Sequence, residues 1–380
     1  MVGTVIGIAA GVVTIVGGVV AVVRWLRRRR KPNRINALDK ASDFSDRIFP
    51  PPDDLTESLQ RRIRSDFVIE GPHAGEFIGG REEDRHWQET RREPSDSKPA
   101  YYLTYWGWRA ARTLFATLPT DWIEATTNGV ASRIGDRHWI SVNISDYDDP
   151  TVSSRSAETI RHTVRAAEIL LLLSQESRLV SQIAWAVVSD SEDSTSPEGG
   201  WYEFRGEAAS GPSLFASLYV FHFLAELLHM GSAAPVDDWE SFANRARPIA
   251  QNTESFLINQ WEVNQWRYRS VPWQVGAPIV LAELVPYATT LERLQHPVDS
   301  MVDLLNPSGR LRDPHLGEPM NASEYMVATR LAYGLHCWYE RSGLERPDRV
   351  TNLTKWLLAQ YRHDRQLTTC EVAFLAELFK

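Results

Sequence analysis

From about residue 54 onward the chain alternates two kinds of helical segment. The first kind is amphipathic, with one apolar stripe and a charged opposite face, over residues 54–69, 118–134, 177–189, 238–260, 291–305 and 349–362. The second kind is nearly all apolar, over residues 99–116, 156–174, 212–229, 275–289, 322–340 and 369–379. In the third of these, Leu214, Leu218, Phe221, Ala225 and Leu228 fall at helical spacing while Phe215, Tyr219, Val220 and Phe223 fill the other faces. A helix apolar all round is one surrounded by protein. Each amphipathic segment is followed by a corner bearing a large apolar residue: Phe77, Trp139, Trp201, Trp266, Leu311 and Leu367. The pattern predicts an all-α fold of six outer/inner helix pairs.

Two architectures bury such pairs. An open solenoid leaves part of each apolar helix in a groove and needs polar end caps. A closed ring places six inner helices inside six outer ones, and irregular spacing between corners is easier to absorb in its loops. Six pairs therefore predict an α6/α6 toroid spanning residues 53–380.

Ahead of the repeats, Met1 to Val23 carries no charged side chain. At 1.5 Å per residue this is long enough to cross a hydrocarbon layer about 30 Å thick. Residues 1–26 are expected to be a single transmembrane helix, followed by a basic juxtamembrane segment and linker over residues 27–52. The basic residues Arg24, Arg27, Arg28, Arg29, Arg30 and Lys31 come after the apolar run. That order is unlike a cleaved signal peptide, and the charge bias places the soluble domain in the cytoplasm. The same residues are positioned to meet anionic lipid at the cell membrane. Gly3, Gly7, Gly11, Thr14 and Gly18 form a small-residue face suited to close helix packing, hence to a homo-oligomer.

Composition narrows the partners. The net charge is −8, and no long basic stripe exists beyond residues 24–31, which argues against nucleic acid. The cysteines Cys337 and Cys370 make neither a disulfide framework nor a thiolate metal site. The 14 tryptophans suit helix corners capped by aromatics, or a cavity lined with them.

The order of outer helix, Gly199-Gly200-Trp201, loop, Pro212-Ser213 and apolar helix resembles the repeat of the terpenoid cyclase and protein prenyltransferase toroid family. The resemblance implies an α6/α6 barrel whose loops at one end open onto a deep, often aromatic cavity. It also implies three functional classes: class II cyclases, zinc-dependent prenyltransferases and non-catalytic binding modules. Asp146-Tyr147-Asp148-Asp149 has the letters of the cyclase acid motif, with Asp146, Asp148 and Asp149 as its carboxylates. Here Pro150 follows and apolar periodicity resumes only near Ile160, which reads as a turn. The zinc candidates His222, His336, Cys337 and Cys370 do not assemble, because His222 stands in an apolar run with no acid or thiol at a matching place. No metal and no cofactor are expected.

Two further groupings remain. Asp190, Glu192, Asp193, Glu198, Glu203 and Glu207 have the makings of paired carboxylates or of a solvated acidic loop. Arg205, Arg267, Arg269, Arg310, Arg312 and His315 follow three successive corners, and in a closed ring they gather at one end, where arginine is well shaped for phosphate or carboxylate. The expected function is a membrane-anchored recognition module for a protein, peptide or anionic ligand. The alternatives are a membrane-perturbing effector of a bacterial defence or toxin system, and an enzyme acting on a lipid-like substrate.

Overall fold

The computed structural model describes residues 55–71, 73–78, 100–143, 156–206, 211–267, 273–312, 321–360 and 367–379. The predicted transmembrane helix with its glycine face, the basic segment and the linker lie outside the described residues, as do Asp146, Asp148, Asp149, Glu207, Arg269 and His315.

The described residues are mostly α-helical, with one short two-stranded sheet. Six helices fall on the amphipathic segments: α1 (Leu55–Asp66), α3 (Thr120–Arg133), α5 (Ser177–Ser189), α8 (Trp239–Asn264), α10 (Gln295–Asp303) and α12 (Asp348–Gln360). Six fall on the apolar ones: α2 (Tyr101–Leu114), α4 (Ile160–Leu173), α7 (Leu214–Met230), α9 (Trp273–Leu284), α11 (Asn321–Ser342) and α13 (Thr369–Leu378). A single turn, α6 (Ser191–Ser194), follows α5. Strands β1 (Ile140–Asn143) and β2 (Ser156–Thr159) pair antiparallel, with Ile140 opposite Thr159. The apolar segment expected from residue 156 thus begins as a strand, because Thr159 pairs with Ile140 before the helix starts.

Local chemistry sets the helix starts. Ser213 caps α7 by accepting from the Ala216 N–H. Thr368 and Glu371 form a reciprocal capping box on α13. Among the described residues, the helical stretch Leu214–Ala233 is the one long and apolar enough to cross a membrane, yet most of it is buried in the protein. It is a core helix, as its four-sided apolar pattern predicts.

The apolar helices pack in cyclic order. Helix α2 lies against α4, α4 against α7, α7 against α9, α9 against α11, α11 against α13, and α13 against α2. Helices α2 and α13, adjacent in this order, run parallel, since Trp106–Phe374 and Thr113–Glu377 advance together; α2 and α7, two places apart, do the same through Tyr102–Tyr219 and Tyr105–His222.

The corners between outer and inner helices share one device. In three of them a seven-residue hairpin is closed by an antiparallel bridge: Ile134 with Ile140, Thr195 with Trp201, and Leu305 with Leu311. The same turn bonds recur, Gly199 N–H to Ser196 C=O and Gly309 N–H to Asn306 C=O matching His138 N–H to Gly135 C=O. In this register Ile140, not Trp139, is the equivalent of Trp201 and Leu311. The corner expected at Trp139 is therefore one residue early, because Trp139 carries the stronger aromatic signal. Trp266 differs again: it lies just past the C-terminus of α8, with its indole N–H donated back to the Leu257 carbonyl at 2.6 Å.

A hydroxyl on the following inner helix ties three of the corners down. The N–H of Phe77 reaches Thr104 Oγ1 at 3.1 Å, that of Ile140 reaches Thr163 Oγ1 at 2.9 Å, and that of Trp201 reaches Ser217 Oγ at 2.8 Å. Thr163 and Ser217 in turn donate to the carbonyl four residues back. The turn glycine is needed twice over. Gly199 has φ of +88°, and a Cβ there would stand 2.8 Å from the carbonyl oxygen of Asn252 on α8.

At the seam between the first and last units, Thr369 Oγ1 donates to Asp66 Oδ2 at 2.8 Å. Burial of Asp66 raises its pKa from 3.8 to about 6, against the lowering pull of Arg62 and Thr369. The folded chain therefore binds this proton more tightly than the unfolded chain. The resulting stabilisation is full below about pH 4 and is lost as pH rises through about 6. We predict that the full chain in detergent loses stability over that interval relative to Asp66→Asn, measured by thermal unfolding. Parallel pH profiles for the two proteins would contradict this.

Candidate functional site

Charged residues inside helices that are buried all round need partners, and here the partners come from one another. Arg165, in the middle of α4, places Nη1 at 2.6 Å from Glu168 Oε2 and Nη2 at 2.5 Å from Glu283 Oε2 on α9. Trp106 on α2 donates its indole N–H to Glu283 Oε1 at 3.1 Å. Glu168 Oε1 lies 2.6 Å from His222 Nδ1 on α7. Arg165, Glu168, His222 and Glu283 are each at most 3% exposed. Desolvating such ions costs several kcal/mol each, and only close pairing offsets that.

Aromatic rings enclose the guanidinium. The Arg165 carbon lies 4.0 Å from the Tyr219 ring centroid and 4.4 Å from that of Tyr105, with Tyr102 at 5.7 Å. A desolvated cation held over rings in this way gains about 2 kcal/mol. Trp106 also packs on Phe374 and Tyr333. Side chains from α2, α4, α7, α9, α11 and α13 thus meet in one buried cluster.

A further set of polar contacts lies one turn along the helices. Arg109 Nε is 3.4 Å from Glu377 Oε1, and Thr113 donates to the same oxygen. Glu226 is half-buried, and its Oε2 is buried without a hydrogen-bond partner among the described residues. Donor atoms of Glu168, His222 and Glu226 all lie within 4.8 Å of one another. The expectation that His222 has no acidic neighbour is therefore corrected. Glu226 is one turn away on the same helix, and Glu168 reaches across from α4.

The site shifts ordinary acidities. Burial raises the pKa of Glu168 to about 7 against the opposing pull of Arg165. Burial lowers that of His222 to about 4. Burial also raises Glu226. The imidazole is thus neutral near pH 7, and the carboxyls beside it hold protons unusually well.

The arginines read from the corner loops are placed differently. Arg205 is held by Asp190, with Nη2 at 2.8 Å from Oδ1, and by Glu158 at 2.9 Å, and its guanidinium faces Trp139. Arg310 lies 5.6 Å over the Trp356 ring, and Arg267 and Arg312 are exposed. Among the acids, Glu203 pairs with Arg161 at 3.0 Å and accepts from Ser213. Asp190, Glu158, Asp193, Arg137, Arg205 and Gly206 line a shallow cleft on the surface. Sequence reasoning missed Arg165, Glu168, Glu226 and Glu283. The available signal was a charged residue within an apolar helix, repeated at spacings of three (Arg165, Glu168) and four (His222, Glu226).

No protein-family model matches the chain, and no characterised protein matches it.

Trp106 and Arg205 separate the buried network from the surface pairs. Trp106→Phe deprives Glu283 of a donor in a dry site and is predicted to cost about 1–3 kcal/mol beyond the change in ring size. Arg205→Ala removes a partly exposed pair and is predicted to cost below about 1 kcal/mol. Chemical denaturation of the two variants checks this, and the reverse order would contradict the placement of the network.

Proposed function

We propose that the cyclic packing of α2, α4, α7, α9, α11 and α13 is an α6/α6 toroid of the terpenoid cyclase and prenyltransferase kind. We propose further that the chain uses it as a membrane-anchored recognition module, with residues 1–26 as the anchor and the helical domain in the cytoplasm.

The observation that carries this reading is the crossing of the ring by its own side chains. Trp106 on α2 meets Glu283 on α9, and Arg165 on α4 meets the same carboxylate, although neither pair of helices is adjacent in the packing order. An enzyme that folds a lipid chain inside a toroid needs that volume for substrate. Filled with paired ions and aromatic rings, it serves as a rigid hub, and ligand contact moves to the end where the inner helices begin. There Tyr102 and Phe215 are half-buried in the first turns of α2 and α7, with the Tyr219 ring at 6.1 Å and 6.2 Å from them. Aromatics that keep one edge open to solvent on rigid helices are effective anchors for a protein or peptide. The small-residue face of the membrane helix supplies clustering, through which the effector alternative would act.

Site-specific photocrosslinking from position 215 of the full-length protein in its native host tests the reading. The expected result is a discrete protein adduct that disappears with Tyr102→Ala while the helical content is unchanged. Absence of any adduct, together with turnover of an isoprenoid diphosphate by the purified protein, would overturn it in favour of an enzyme.

A further inference from the structure

We infer that Glu168, His222 and Glu226 form a binding site for a divalent first-row transition metal ion, zinc in the first instance. The site does not depend on what the loop end binds. His222 and Glu226 are one turn apart on α7, so their side chains share a face. Glu168 comes from α4, which packs directly on α7. One imidazole and two carboxylates are an accepted zinc donor set, with metal–ligand distances of about 2.0–2.2 Å. Donor atoms within 4.8 Å of one another converge on such an ion through small side-chain rotations.

Three features point to a cation here rather than to a merely structural ion pair. Glu226 Oε2 is buried with no hydrogen-bond partner among the described residues, a costly state that a metal bond removes. Glu168 is oriented from behind, because Arg165 Nη1 holds its other oxygen at 2.6 Å, as outer-shell partners hold the carboxylates of metal sites. Carboxylates also outnumber the cations that face them: Glu168, Glu226, Glu283 and Glu377 stand against Arg109 and Arg165. A bound ion takes the place of the proton shared by His222 Nδ1 and Glu168 Oε1, which lie 2.6 Å apart. The Tyr105 and Tyr287 rings, at 5.7 Å and 4.7 Å from the imidazole, hold it in place.

The test uses the full chain purified in detergent, stripped with chelator and dialysed against zinc chloride, with retained metal measured by mass spectrometry. Wild type and Glu377→Gln are expected to retain about one ion per chain and to melt at higher temperature with zinc. His222→Gln and Glu226→Gln are expected to bind at least about tenfold more weakly. Glu226→Gln is isosteric at a half-buried position, and an unchanged circular dichroism spectrum shows that it folds. Zinc retention equal in wild type and both ligand variants would place the metal on other groups and overturn the proposal, as would no retention by wild type.

Discussion

The structure depends on Arg165. A guanidinium 1% exposed has no access to water and must be neutralised within reach of its own fork, which Glu168 and Glu283 accomplish from one side and the other. Because Glu283 belongs to α9 and also accepts from Trp106 on α2, one cation fixes the relative height of three inner helices. Helices apolar all round could otherwise slide along one another at little cost, since leucine against valine packs acceptably in several registers. A paired charge does not slide, because displacement by a single turn would leave an uncompensated ion in a dry core.

Around this hub the corners hold the outer layer. The bridge, the turn and the hydroxyl on the following helix recur with different side chains: Thr104, Thr163 and Ser217 accept from Phe77, Ile140 and Trp201. What repeats is a hydrogen-bonding function at a fixed place. That explains why the units look degenerate as sequence. The turn position filled by Gly199 and Gly309 is filled by His138 in the second unit, at φ of 66°.

Much of this was legible beforehand. Apolar and amphipathic periodicity located the twelve longer helices of the described residues, since burial on every side leaves a long apolar run that no surface helix shares. Corner register was less legible, because a hairpin bridge is set by backbone pairing and Trp139 offers a stronger aromatic signal than Ile140 beside it. The central cluster was least legible. Glu168, His222 and Glu283 come from three different helices, and nothing in local spacing says that they face a common interior. Of the arginines in the corner loops, Arg205 is taken up by Asp190 and Glu158, a pairing across the fold that loop sequence does not show.

A double-mutant cycle between Arg165 and Glu283, using Arg165→Met and Glu283→Gln in the full chain, tests the central claim most directly. If the pair organises the core, each single variant loses about 3–5 kcal/mol, because a charge is left buried without its partner. The double variant then loses less than the sum of the two by at least about 1 kcal/mol, the two groups being coupled. Additive losses would mean that the two groups act independently and that the register of the inner helices is set elsewhere.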